Sequence, residues 1–212
     1  MEIRAYDEIY LDSAQNIIGH MFDYAINENK ILPDDFAGIF SVSPIAHEIE
    51  KGNPTYVAGK TGPEIARLVL SDAGYRRELQ SDVMYEDKSP EYWAGWSLAY
   101  YQWYKDYSFR YIFNAVPFSD ILNLYSIYHE MDIIKFVEEI TRRIELFYPK
   151  TALEYFRSIR GLTKEDLAFR TGITLDEINR FENNKDDIKN ASSIIILKLS
   201  KVLGCSMEQL IK

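Results

Sequence analysis

Apolar residues recur every three to four positions along most of this chain, and the interruptions are short. That period predicts helices. Ile17, Met21, Tyr24 and Ala25 share one face of a helix that Asp12 caps and that runs to about Asn29. Pro33 precedes a second helix, from Asp34. Ser43-Pro44 starts a third, which Gly52 ends, because proline suits a first helical position and glycine a terminus. Gly59 to Pro63 reads as a loop, and EIARLVLSDAG follows as a helix stopped at Gly74. Residues 75–88 have weak periodicity and carry no predicted element. Ser89-Pro90-Glu91 then opens YWAGWSLAYYQWYKDYSF. Ser119 caps DILNLYSIYHE, and Asp132 caps IIKFVEEITRRIELFY, which stops at Pro149. Strand-like alternation is confined to short ambiguous runs such as GIFSV, and no repeat or low-complexity tract is visible.

Beyond Pro149 the pattern becomes that of five short helices. Ala152 to Arg160 places Leu153, Phe156 and Ile159 on one face, and Gly161 ends it. Thr163 caps KEDLAFRT, with Asp166 three residues on to complete the capping pattern. Gly172 makes a tight turn, Ile173 enters the core, and Thr174 caps a third helix that buries Ile178 and Phe181. NNKDDIKN is a loop. ASSIIILKLSKVL ends at Gly204, and Ser206 caps MEQLI. The fold class expected is therefore all-α. Residues 1–149 form an acidic, aromatic-rich helical domain, and residues 150–212 a five-helix domain.

The second domain resembles the Cro/phage-repressor (XRE-type) helix-turn-helix family, with its lambda-repressor-like fold. The matching residues are Gly161-Leu162-Thr163, Glu165, Leu167-Ala168, Gly172-Ile173-Thr174, Ile178, Phe181-Glu182-Asn183, Lys185, Leu199, Leu203-Gly204 and Leu210. Asn184 departs from the pattern, where the family usually has glycine; asparagine tolerates the same left-handed backbone. The resemblance implies that the third helix of this domain enters the major groove of DNA. Thr174, Leu175, Asp176 and Arg180 would then face bases, with Glu177 and Asn179 nearby, and Lys164 and Lys185 would lie against phosphates. Two acids in that set are unusual. A carboxylate can accept from cytosine N4 and leucine can touch a thymine methyl, but acids near phosphates weaken attraction.

Charge sharpens this point. The chain carries a formal net charge of −9. Residues 151–212 hold ten Lys/Arg against nine Asp/Glu, leaving 14 against 24 for residues 1–150. A domain near neutrality releases few counterions from DNA and binds weakly alone, so dimerisation is expected to supply a second half-site. The single cysteine, Cys205, excludes an internal disulfide and a cysteine metal site. The N-terminus shows no signal peptide and no stretch is apolar enough to span a membrane, so a cytoplasmic location is expected.

The first domain offers less. Trp93, Trp96, Tyr100, Trp103 and Tyr107 follow helical spacing and read as the buried face of a core helix, with Tyr92, Tyr101 and Tyr104 on other faces. PTYVAGKTG lacks the first glycine of a phosphate loop, since position 54 is Pro54, and reads as a turn between helices. His20, His47 and His129 lie far apart and make no metal signature, and no catalytic grouping is evident. No cofactor and no enzymatic activity are expected. SPEYWAGWSLAYYQWY is similar to uncharacterised regions ahead of helix-turn-helix domains in antitoxin-type regulators of bacteria. The function expected is a sequence-specific, homodimeric transcriptional regulator that binds double-stranded operator DNA and acts as the antitoxin and autorepressor of a toxin–antitoxin pair. Its first domain would supply dimerisation or hold the protein partner, a toxin. The alternative is a protein-interaction module whose helix-turn-helix fold no longer binds operator DNA.

Overall fold

Ser43, Thr61, Ser89 and Ser108 each accept a hydrogen bond from the backbone N–H three residues on, at 3.1, 3.4, 3.0 and 3.2 Å, and each begins a helix. An N-cap oxygen satisfies a donor that the helix itself cannot, which is why these short polar residues set the boundaries. In the computed structural model, which describes residues 4–81, 88–148, 151–183 and 186–211, together with the backbone but not the side chain of Ile159, the ordered elements are helical, with no strand among the described residues. The α-helices are α1 (Leu11–Asp23), α2 (Pro33–Ser41), α3 (Pro44–Glu50), α4 (Pro54–Val57), α5 (Gly62–Asp72), α6 (Pro90–Lys105), α7 (Phe109–Ala115), α8 (Phe118–Asn123), α9 (Tyr125–Tyr128), α10 (Ile133–Phe147), α11 (Ala152–Ile159), α12 (Lys164–Thr171), α13 (Leu175–Glu182), α14 (Ser193–Leu203) and α15 (Met207–Leu210). The chain divides into two compact units, residues 1–144 and 145–212. No helix among the described residues is long and apolar enough to cross a membrane.

The first unit is organised on α1 and α6. Ser89 donates to Asp23 and Tyr92 to Asn16, so the two helices run in opposite directions. Glycines let them approach. A Cβ on Gly95 would stand 2.7 Å from the carbonyl oxygen of Ile18, and one on Gly19 would stand 2.8 Å from the Tyr92 ring. Phe22 stacks on Phe118 and meets Phe36 and Phe40 edge-on, giving a core of aromatic rings beneath α1. Such pairs add roughly 0.5–1.5 kcal/mol each beyond the area they bury.

This packing corrects the expected burial of α6. Of the five aromatic residues assigned to its core face, only Trp103 is buried; Trp93, Trp96, Tyr100 and Tyr107 are half-buried. The buried face instead carries Tyr92, Ala94, Gly95, Leu98, Ala99 and Tyr101. Spacing alone cannot distinguish these faces, because α6 is apolar nearly all round. Close contact with α1 selects the face with small residues, and the large rings flank it. Trp93 packs against Tyr125 and Phe136, while Arg4 lies 3.8 Å over the ring of Tyr104.

Several boundaries also differ. Asp12 lies in the first turn of α1 and does not cap it; the entry is a 3-10 turn, Glu8–Tyr10, capped by Asp7. The end of the predicted first helix widens into a π-turn, Tyr24–Glu28. Ser119 does not cap its helix. Pro117 stands at that position, and Ser119 spends both its backbone N–H and its hydroxyl on the carboxylate of Asp34, at 2.9 and 2.7 Å. DILNLYSIYHE breaks into α8 and α9, and α4 forms inside the segment between Gly52 and Gly59. GIFSV belongs mostly to α2. The AGKTG run serves as a capping turn: Thr61 and Glu64 cap α5 reciprocally.

The second unit contains α11 to α15 and a 3-10 turn at Ile188–Asn190. Leu153, Leu162, Leu167, Ile173, Ile178, Phe181, Ile196, Leu199, Leu203 and Leu210 form its buried core. These residues come from all five helices and the turns between them, so each amphipathic stripe has a partner.

Candidate functional site

The candidate surface is built by α12, the turn after it, and α13. Thr163 and Asp166 cap α12 reciprocally, each side chain bonded to the other's backbone N–H at 3.0 Å. Gly172 closes α12 with φ of 67°, a left-handed conformation in which any side chain is strained. Thr171 then donates to the carbonyl of Leu167, and Ile173 is buried. The chain turns sharply and Thr174 starts α13.

α13 is held from below by apolar contacts and by one buried charge. Ile178 and Phe181 are in the core. Beside them the Glu182 side chain is 1% exposed. It accepts two hydrogen bonds from Arg157, at 2.6 and 2.9 Å, and Lys164 stands 3.5 Å away. Arg157 also donates to the carbonyl of Leu162 at 2.8 Å. Hydrogen bonding to Glu182 holds the Arg157 guanidinium above its ordinary value, against the opposing effect of burial. Thus α11, α12 and α13 each contribute one group to a single charged cluster. A two-pronged Arg–carboxylate bond fixes orientation as well as distance, so this cluster sets the angle at which α13 is presented.

The residues expected at the site divide into distinct environments. Thr174, Leu175, Asp176 and Arg180 are exposed; Lys164, Glu177 and Asn179 are half-buried. Lys185, like Asn184, lies outside the described residues. Lys164 donates to the Asn179 side chain at 3.0 Å, so these two side chains form one bridge between α12 and α13. Thr174 and Glu177 are likewise engaged with each other. The Glu177 carboxylate accepts from the Thr174 N–H at 3.1 Å and from its hydroxyl at 2.7 Å. Glu177 therefore caps its own helix. The T-x-x-E spacing of Thr174 and Glu177 is the sequence signal for that role. Asp176, beside it, also sits in the first turn, where the helix dipole favours an acid.

Arg180 is exposed but engaged. Its Nη2 donates to one carboxylate oxygen of Asp186 at 3.0 Å, and its Nε stands 2.8 Å from the other as an ion pair. Sequence reasoning missed Asp186, which follows α13 by four residues and whose backbone N–H donates to the carbonyl of Arg180 at 3.3 Å. It also missed the joint role of Arg157 and Glu182, whose separation in sequence carries no local signal.

Hydrogen bonds from Thr174 lower the Glu177 pKa below the ordinary glutamate range. A depressed folded pKa means that the capping contribution is present above the unfolded value and is lost as pH falls through the folded one. We expect an NMR titration to place Glu177 below an unperturbed glutamate. Thr174→Ala should return it toward that reference and speed amide exchange in the first turn of α13. An unchanged titration in the variant would show that the cap is not the cause.

The histidines expected to be unrelated stand in separate surroundings: His20 edge-on to Tyr92, His47 3.5 Å from Glu50, and His129 stacked on Tyr125. A family model described as helix-turn-helix matches residues 153–210. No curated protein and no solved structure matches the chain.

Proposed function

We propose that this protein is a DNA-binding transcriptional regulator of the Cro/C1-type (XRE) kind, a reading supported by the helix-turn-helix family model that matches residues 153–210, and that it represses its own operon as an antitoxin-type homodimer in the cytoplasm. The observation that carries DNA reading is the exposed run of Thr174, Leu175, Asp176 and Arg180 on α13, presented by a buried charged cluster beneath it. Arg180 would take guanine, whose O6 and N7 match its fork, and Leu175 a thymine methyl. Lys164, and Lys185 by family position, would meet phosphates. Glu177 and Asn179 would act chiefly on the protein side, one as a cap and one as the partner of Lys164.

Pairing of two copies is supported by charge and by exposed apolar side chains. Phe169 is 90% exposed, and Ile194 and Leu197 are also exposed. A near-neutral domain gains most from a second half-site. Residues 1–149 are assigned to dimerisation or to holding a basic protein partner, the toxin, by complementary potential. Their excess of acids and their half-buried aromatic side chains support that role, since aromatic residues are enriched at interfaces.

Selection of duplexes from a random pool with the full chain, followed by binding of the chain's own upstream DNA, tests the proposal. Lys164→Ala should weaken binding to all duplexes alike, whereas Arg180→Ala should also relax preference at one base pair. Failure to bind any duplex, with co-purification of a protein partner, would favour the protein-interaction reading instead.

A further inference from the structure

We propose that Asp186 is a built-in anionic competitor for Arg180, an autoinhibitory contact that lowers the DNA affinity of the free domain. The inference rests on the DNA-binding reading above. The Arg180 guanidinium faces both oxygens of Asp186: its Nη2 donates to one at 3.0 Å, and its Nε lies 2.8 Å from the other in an ion pair. The pair is also tied through the backbone, because the Asp186 N–H donates to the Arg180 carbonyl at 3.3 Å. The acid therefore stays beside the arginine without needing a long side chain to find it.

A carboxylate, a phosphate and the O6/N7 edge of guanine all offer two acceptors to the same fork. DNA must therefore displace Asp186 to reach Arg180, one acceptor pair for another. The displaced carboxylate then remains close to an anionic polymer. Before displacement the pair carries no net charge, so Arg180 adds nothing to long-range attraction. Both side chains are about half exposed, at 50% and 38%, and an ion pair in that setting opens readily in water. The contact is thus a reversible competitor and not a lock. It acts on top of Asp176, which is unpaired with any cation in the described hydrogen bonds and salt bridges and lies one turn before Arg180.

The same contact fits an autorepressor that must release its operator. Every kinetic escape of DNA from Arg180 is met by an internal acceptor already in place. Removing that acceptor should raise affinity and also make binding more sensitive to salt.

The test uses the full chain, a labelled random-sequence duplex and fluorescence anisotropy over a KCl series. Asp186→Asn keeps the shape and removes the charge. It should tighten binding roughly three- to tenfold at low salt and steepen the slope of log K against log salt by about 0.9, the value of one added phosphate contact. The gain should vanish when Arg180→Ala is already present, because the competitor then has nothing to withhold. A gain that persists in the Arg180→Ala background would make Asp186 a general repulsive charge and overturn the inference. So would binding by the wild-type chain that Asp186→Asn leaves unchanged. If neither chain binds any duplex, the DNA-binding reading fails first and this inference falls with it. Binding by Asp186→Asn alone would support both.

Discussion

Arg157→Ala is expected to destabilise the second unit by about 3–5 kcal/mol, the cost of leaving a buried carboxylate without its partner. Glu182 is almost wholly enclosed and takes two of its hydrogen bonds from Arg157. Lys164 is 3.5 Å away and is shared with Asn179, so it replaces neither bond. The loss should be confined to one unit, and the protein has a natural reporter for this. All three tryptophans, Trp93, Trp96 and Trp103, lie in residues 1–144. Urea unfolding followed by tryptophan fluorescence should therefore be unchanged, while far-UV circular dichroism acquires an earlier transition. Because α11, α12 and α13 meet at this cluster, DNA binding should fall under conditions where the domain remains folded. A variant with the stability of the parent would mean that Glu182 is hydrated and that apolar contacts alone fix α13.

The second large effect is expected in the first unit. Gly95→Ala should cost about 1–3 kcal/mol, the usual range for overpacking a close contact. The added Cβ would meet the carbonyl oxygen of Ile18 at 2.7 Å and the Cα of Gly19 at 3.1 Å. Both belong to the backbone of α1, which cannot yield without moving the helix. Gly38→Ala supplies the control. Gly38 is exposed in the middle of α2, with nothing within 4 Å of its added Cβ. There the smaller backbone entropy of alanine should stabilise by roughly 0.4–1 kcal/mol. Thermal unfolding monitored by tryptophan fluorescence measures both, since all the indoles lie in this unit. Equal effects of the two substitutions would contradict the close crossing of α1 and α6.

The sequence by itself determined the all-α class and most helix starts, because capping is local. Ser43, Ser89, Thr163, Thr174, Ser192 and Ser206 each act on a backbone N–H within three residues, and no distant part of the chain is needed to place them. The helix-turn-helix at residues 153–210 was legible for the same reason: its core positions and its glycine turn recur at fixed short spacing. Tertiary structure decided what local spacing leaves degenerate. On α6 every face is apolar enough to be buried, and only the approach of α1 selected Gly95 over the tryptophans. Ser119 had the composition of a cap but was claimed by Asp34, 85 residues earlier. Of the acids of α13 and the loop after it, Glu177 closes its own helix, Glu182 is buried on Arg157, and Asp186 turns back to hold Arg180. A charge has one formal value in the sequence. Its effect depends on which opposite group lies within a few ångströms, and that distance exists only once the chain has folded.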